Sequence, residues 1–252
     1  SALKRDKEAL SSYQKIIDKD PTLAGPYYNM GIILKRNERL EEAIDNYKKA
    51  ISLKPDYVQA YNNLGVLYKD SKKYESAIKM FTKATEVQPD HQNSYYNLAL
   101  IKKEQGFNEE AIEFLSKVLD LNPEHSEANY LNWLVYARLG RFAEGWKYFE
   151  YRWKVSPQNE VIWPIQDKPL WKGEKGKRVA VWREQGIGDQ IIFLSLLREV
   201  KEMCATLSVY VDPRLQTLCR HAMPDINFVK DIKELQKVEC DYHLPLGSVP
   251  GL

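Results

Sequence analysis

The chain has 252 residues, 29% of them charged and 44% hydrophobic, with a formal net charge of +2 at pH 7. That length suits two modest domains, and the composition excludes both a disordered chain and a fibre. Opposite charges are interspersed, which gives no footprint for nucleic acid or an anionic membrane, and no apolar run approaches the length of a membrane span.

From the N-terminus onward one period dominates. Pro21, Pro55, Pro89, Pro123 and Pro157 stand 34 residues apart. Small residues follow the same period at Ala9, Ala43, Ala77, Ala111 and Gly145, and large ones at Tyr13, Tyr47, Phe81, Leu115 and Phe149. A further ladder, Tyr27, Tyr61 and Tyr95, precedes Gly31, Gly65 and Ala99 by four residues, placing a ring and a small residue one turn apart on one helix face. Apolar spacing inside each period is helical, and polar breaks such as "KRNER" and "KDSKK" fall midway, so each period predicts two antiparallel helices. Proline closes each unit because it cannot continue the second helix and suits the start of the next. The predicted array covers 1–156, as a half-repeat at 3–20 and repeats at 21–54, 55–88, 89–122 and 123–156.

The pattern, quoted as "AYNNLGVLYKDSKKYESAIKMFTKATEVQP", resembles the tetratricopeptide repeat. The resemblance implies a mainly α fold: a superhelix of helix pairs, about 4.5 repeats long, with a concave groove lined by the first helix of each pair and with protein or peptide partners. Asn29, Asn63 and Asn97 recur one residue before the Met/Leu–Gly/Ala pair and are expected to form a column along that groove. Asparagine offers a donor and an acceptor, which suits holding the backbone of an extended peptide; the alternative is that all three are solvated helix residues. The repeats also look like those of the nucleocytoplasmic O-linked N-acetylglucosamine transferases, where an asparagine ladder holds substrate polypeptide. The fourth repeat departs from the pattern, with Leu131 in place of asparagine, Asn132 one residue out and Trp133 in place of the small residue.

All six tryptophans fall between Trp133 and Trp182. They mark 157–177 as a junction at which the array is expected to dock rigidly on a second domain, with an exposed sugar-stacking platform as the rival reading. Beyond "KGEKGKR" the texture changes. "VAVWREQ", "TLSVYVD", "NFVK" and "CDYHLPL" read as strands, and "DQIIFLSLLREVKEMC" and "PRLQTLCRHAM" as helices. This alternation predicts a small α/β Rossmann-like half-domain with a parallel sheet over 178–252.

The first strand-to-helix loop is "EQGIGDQ". Gly186 and Gly188 allow close backbone approach, so Gln185, Gly186 and Gly188 are candidates for a phosphate or other ligand loop. A dinucleotide fingerprint lacks its third small residue, because Ile191 stands there, and Asp212 matches the ribose-binding acid by location only. Cys204, Cys219 and Cys240 show no redox or zinc spacing and are expected as buried free thiols in a reducing, cytoplasmic setting. Cys219, His221, Cys240 and His243 would have to converge to hold a metal; two residues apart on a helix, the first pair diverges, and no metal is expected.

The runs "EGWKYFEYRW", "PLWKGE", "WREQGIGDQIIFLSLLREV" and "CDYHLPLGSVP" resemble the joint in bacterial proteins that fuse tetratricopeptide repeats to a two-Rossmann-domain (GT-B) glycosyltransferase similar to the lipopolysaccharide heptosyltransferases. That resemblance implies an acceptor-side half whose glycine loop presents a catalytic base, matched by Asp189, with Arg183 and Glu184 as secondary candidates. Capping of the following helix is the alternative role for Asp189. It also implies a nucleotide-sugar donor bound by a second Rossmann domain in a longer polypeptide. The chain opens on Ser1 and stops at Leu252 after a turn, and both ends are expected to continue, so this stretch alone is expected to bind no cofactor and to turn over no donor. Two rivals stand beside this reading: a scaffold with a non-catalytic α/β cap, and a nucleotide-binding protein that uses the Gly-x-Gly-Asp loop.

Overall fold

The computed structural model describes residues 2–155, 164–184 and 186–251, which fall into two compact units, 1–141 and 142–252. The first unit is all helical: α1 (Ala2–Lys19), α2 (Ala24–Arg36), α3 (Leu40–Leu53), α4 (Val58–Asp70), α5 (Tyr74–Val87), α6 (Gln92–Gln105), α7 (Asn108–Leu121) and α8 (Ser126–Arg138). Each helix packs on the next, most extensively within the pairs α2–α3, α4–α5 and α6–α7, and α4 also touches α6.

Sterics explain the small-residue ladder. A methyl group built on Gly65 would lie 2.7 Å from Cε1 of Phe81, and one on Gly31 would lie 2.6 Å from Cε1 of Tyr47. Ordinary carbon contacts are about 3.5–4.0 Å, so only glycine lets the paired helices close on a fully buried ring. In the third pair Ala99 occupies the small position and the residue sixteen further on is Leu115, not an aromatic; both are fully buried in one cluster.

The turns inside the pairs repeat as well. Glu38, Lys72, Gly106 and Gly140, 34 residues apart, all adopt left-handed backbone, with φ of 59°, 57°, 85° and 71°. Behind each, a backbone N–H reaches back five residues to a carbonyl, as Arg39 to Leu34 (2.9 Å), Lys73 to Tyr68 (2.8 Å), Phe107 to Lys102 (2.9 Å) and Arg141 to Tyr136 (3.0 Å). This is the Schellman closure, which satisfies carbonyls that the helix end leaves open.

The second unit begins with α9 (Phe142–Gly145), a 3-10 segment at Trp146–Tyr151 and α10 (Arg152–Val155). The periodicity points to one continuous helix here; three short pieces form instead. Pro157 and Trp163 lie outside the described residues. The strands β1 (Lys177–Trp182), β2 (Cys204–Tyr210), β3 (Asn227–Phe228) and β4 (Tyr242–Pro245) form one parallel sheet in the order β3-β2-β1-β4. Between them run α11 (Ile187–Leu194), α12 (Leu197–Met203), α13 (Pro213–Ala222) and α14 (Ile232–Leu235), and a 3-10 segment, Leu246–Gly251, follows β4.

Both faces of this sheet are covered, as a parallel sheet requires. Val179 and Val181 of β1 face a core shared with Leu207, Val209, Leu197 and Leu215; Ala180 and Trp182 face a second one with Val229, Leu235 and Ile165. Cys219 lies in the first core and Cys240 in the second, so these thiols do not converge, and Cys204, Cys219 and Cys240 are all free and buried. The run expected as one helix after β1 breaks between α11 and α12, where the Ser195 hydroxyl donates to the Ile192 carbonyl at 2.6 Å and competes with the helix ladder. Among the described residues no helix is long and apolar enough to cross a membrane.

Candidate functional site

Two regions collect the residues singled out in the sequence. The first is the face of α2, α4 and α6 that carries Asn29, Asn63 and Asn97, all half-buried. Their register is shared but their partners differ. Asn63 donates from Nδ2 to the Tyr28 hydroxyl at 3.2 Å, across a repeat boundary, which keeps its side-chain carbonyl for another partner. Asn97 donates to the Asn93 carbonyl of its own helix at 2.8 Å. Asn29 makes no side-chain hydrogen bond to a described residue. Beside this column run Ile32, Val66 and Leu100, three residues further along each helix, so an apolar strip accompanies the amides. The column ends at α8, where Leu131 and Asn132 are both buried and the Asn132 carbonyl oxygen has no hydrogen-bond partner among the described residues.

The second region is the carboxyl end of the sheet, where β2 and β4 flank β1 and the strand order reverses. Ligands of open α/β sheets bind at such a reversal. Arg183 and Glu184, consecutive after β1, reach opposite ways. Arg183 donates to the Asp212 carboxylate at 2.6 Å, just past the end of β2. Glu184 turns toward the end of β4, accepting from the Gly247 N–H at 3.0 Å and from Arg152 of α10 at 2.8 and 3.2 Å. Arg152 also donates to the Ser248 hydroxyl at 2.9 Å, and both Arg152 and Glu184 have nearly fully buried side chains. Burial pushes the Glu184 carboxyl above its ordinary value, with Arg152 opposing that rise. Asp212 lies at the other extreme: Arg214 and its backbone N–H hold it well below the usual carboxylate range. Asp212 also caps α13, with Pro213 in the first turn.

Between these two clusters lies the glycine loop. Gly186 and Gly188 are exposed, Gln185 is outside the described residues, and Asp189 stands exposed on the first turn of α11 with no side-chain hydrogen bond to a described residue. Neither glycine has left-handed backbone, and a methyl on Gly188 would meet nothing within 4 Å. The fold itself therefore makes no steric demand for glycine at 188. Sequence reasoning did not single out Arg152, Gly247 and Ser248, although they lie inside the runs "EGWKYFEYRW" and "CDYHLPLGSVP"; the Asp-Pro pair at 212–213 was a readable helix-start signal.

Models of the tetratricopeptide repeat match residues 12–45, 58–91 and 92–125, and a model described as TPR repeat matches 33–71. Residues 12–125 are thus tetratricopeptide repeats. Protein FlbA of Caulobacter vibrioides is 30% identical over 97 residues, 36% of this chain, and the match spans only 16% of that relative's length. Among solved structures, MamA aligns with a TM-score of 0.56 at 24% identity, over 61% of this chain and 90% of its own. YrrB, described as a TPR protein with an unusual peptide-binding site, aligns with a TM-score of 0.52 at 26% identity, over 57% and 75%. PilF of Pseudomonas aeruginosa gives 0.57 at 19% identity, over 63% and 72%.

Proposed function

We propose that this tetratricopeptide-repeat chain holds an extended peptide segment of a partner protein on the α2–α4–α6 face. The observation that carries the reading is the amide column Asn29, Asn63 and Asn97 beside the apolar strip Ile32, Val66 and Leu100. Amides serve the peptide backbone, and the strip takes alternate side chains. YrrB's peptide-binding site supports it by analogy. The test is a fluorescence-polarisation screen of a random peptide library against the chain. Binders should weaken at least about fivefold when all three asparagines are replaced by alanine, with unchanged far-UV circular dichroism, a loss of about 1 kcal/mol. Binders indifferent to the triple replacement would discard the reading.

For the α/β unit we propose a Rossmann-like, acceptor-side half of a GT-B glycosyltransferase, with the repeats selecting the acceptor and a nucleotide sugar bound elsewhere in a longer polypeptide. The strand order β3-β2-β1-β4, with a glycine loop and Asp189 at the reversal, supports it. In this reading Asp189 takes the proton of the acceptor hydroxyl. Three buried free thiols suit a cytoplasmic setting. The discriminating experiment is sugar transfer by the full reading frame: Asp189→Asn should abolish turnover and leave peptide capture intact. Frames that never transfer sugar would favour a scaffold with a non-catalytic cap, and nucleotide binding without transfer would favour the glycine loop as a nucleotide site.

A further inference from the structure

Asp212 is surrounded by more positive charge than it can neutralise. Its carboxylate accepts from the Arg214 backbone N–H (3.0 Å), Arg214 Nε (2.9 Å), Arg214 Nη2 (3.1 Å) and Arg183 Nη1 (2.6 Å). The Asp212 N–H in turn donates to the side-chain oxygen of fully buried Gln190 at 2.9 Å, so the aspartate is held from both its main chain and its side chain. Arg183 Nη1 and Arg214 Nη2 share one oxygen, Oδ2, which brings the two guanidinium groups side by side. One carboxylate against two guanidinium groups leaves a net charge of about +1. Arg183 Nε and Nη2 and Arg214 Nη1 have no acceptor among the described residues. The Arg183 side chain is a third exposed and that of Arg214 more than two thirds, so solvent reaches both side chains.

We propose that Arg183 and Arg214 bind a phosphate-bearing ligand at the carboxyl ends of β1 and β2. Asp212 serves as the buried anchor that fixes the two guanidinium groups before the ligand arrives. Planar guanidinium groups match phosphate oxygens in pairs, and holding both in place removes much of the ordering cost of binding. α13 is already capped by Asp212, so the site rests on the arginines and not on a helix start. The inference is independent of peptide capture on the α2–α4–α6 face.

Calorimetric titration with pyrophosphate, a nucleoside diphosphate and a hexose 1-phosphate tests it. At least one should bind saturably, and the tightest of the three identifies the ligand class. Arg183→Gln and Arg214→Gln should each weaken that binding about tenfold with unchanged circular dichroism. Arg183→Lys retains a cation for Asp212 but loses the paired donors, and should fall between. Peptide capture should be the same in all three variants. Absence of saturable binding by every probe, or an affinity unmoved by Arg183→Lys and Arg214→Gln, overturns the proposal.

Discussion

Gly65→Ala should destabilise the array even though alanine is the better helix former. The new methyl would sit 2.7 Å from Phe81 Cε1 and 2.9 Å from Cδ1 and Cζ, so ring or helix must yield by about 1 Å. Overpacking of this kind costs about 1–3 kcal/mol, and the helix-propensity gain returns about 1 kcal/mol, leaving a net loss centred near 1 kcal/mol. Phe81→Leu alone should also cost about 1–2 kcal/mol, because a fully buried ring gives way to a smaller side chain. The double variant rebuilds the Ala99–Leu115 pair of the third repeat, where both residues are fully buried. There the methyl fills space that the ring has left, so Gly65→Ala/Phe81→Leu should be no less stable than Phe81→Leu, a coupling of about 1 kcal/mol. Urea unfolding of wild type, both single variants and the double, followed by far-UV circular dichroism, closes the cycle. Additivity within about 0.5 kcal/mol would refute the account of the small-residue ladder.

The left-handed turns give an opposite pair of expectations. Glu38→Gly or Lys72→Gly should raise the unfolding midpoint slightly, since a strain of about 1–2 kcal/mol is relieved against up to about 1 kcal/mol of added unfolded-state entropy; Gly106→Ala should lower it. In the second unit, Arg152→Met leaves the Glu184 carboxylate buried and short of its main counter-ion, and should cost about 3 kcal/mol, of which Arg152→Met/Glu184→Leu recovers most; a thermal melt of both variants decides. Burial pushes the pKa of His243 below its ordinary value, and the neutral ring accepts a hydrogen bond from Trp182 Nε1 at 3.1 Å. The unfolded chain therefore binds the proton more readily. The stabilisation is complete above the ordinary histidine value of about 6.5 and is lost as pH falls below it, which denaturation midpoints followed by tryptophan emission at pH 7.5 and pH 5.5 should register. His243→Asn should flatten that dependence.

Periodicity made the repeat array legible because the same steric problem is solved several times: Gly31 against Tyr47, Gly65 against Phe81. Alternating strand and helix texture gave the four strands and their parallel sense for a related reason, since burial on both faces leaves apolar runs such as "VAVW" in plain view. What stayed hidden involves partners far apart in the chain. The Arg152–Glu184 pair spans 32 residues and joins two separate runs with no spacing that announces it, and only the placement of β4 beside β1 brings Gly247 and Ser248 to it. The Asn29, Asn63 and Asn97 column was visible as a spacing, but its unequal engagement was not, because Tyr28 and Asn93 are set by neighbouring turns and repeats. Ser195 broke a helix that its amphipathic pattern would have continued, a local competition that periodicity does not weigh.

The second half of the fourth period, residues 142–155, has a consequence for how the chain can be divided. By descent, as the 34-residue rhythm records it, Phe149 and Gly145 belong with the array. By cohesion, α10 belongs with the sheet, since Arg152 grips the end of β1 and the turn after β4. Severing the polypeptide after residue 156, where the rhythm closes, would carry Arg152 away from the buried Glu184 carboxylate. Severing it after Arg141 would keep Arg152 and Glu184 in one piece. Ancestry and autonomy thus assign the same fourteen residues to different owners.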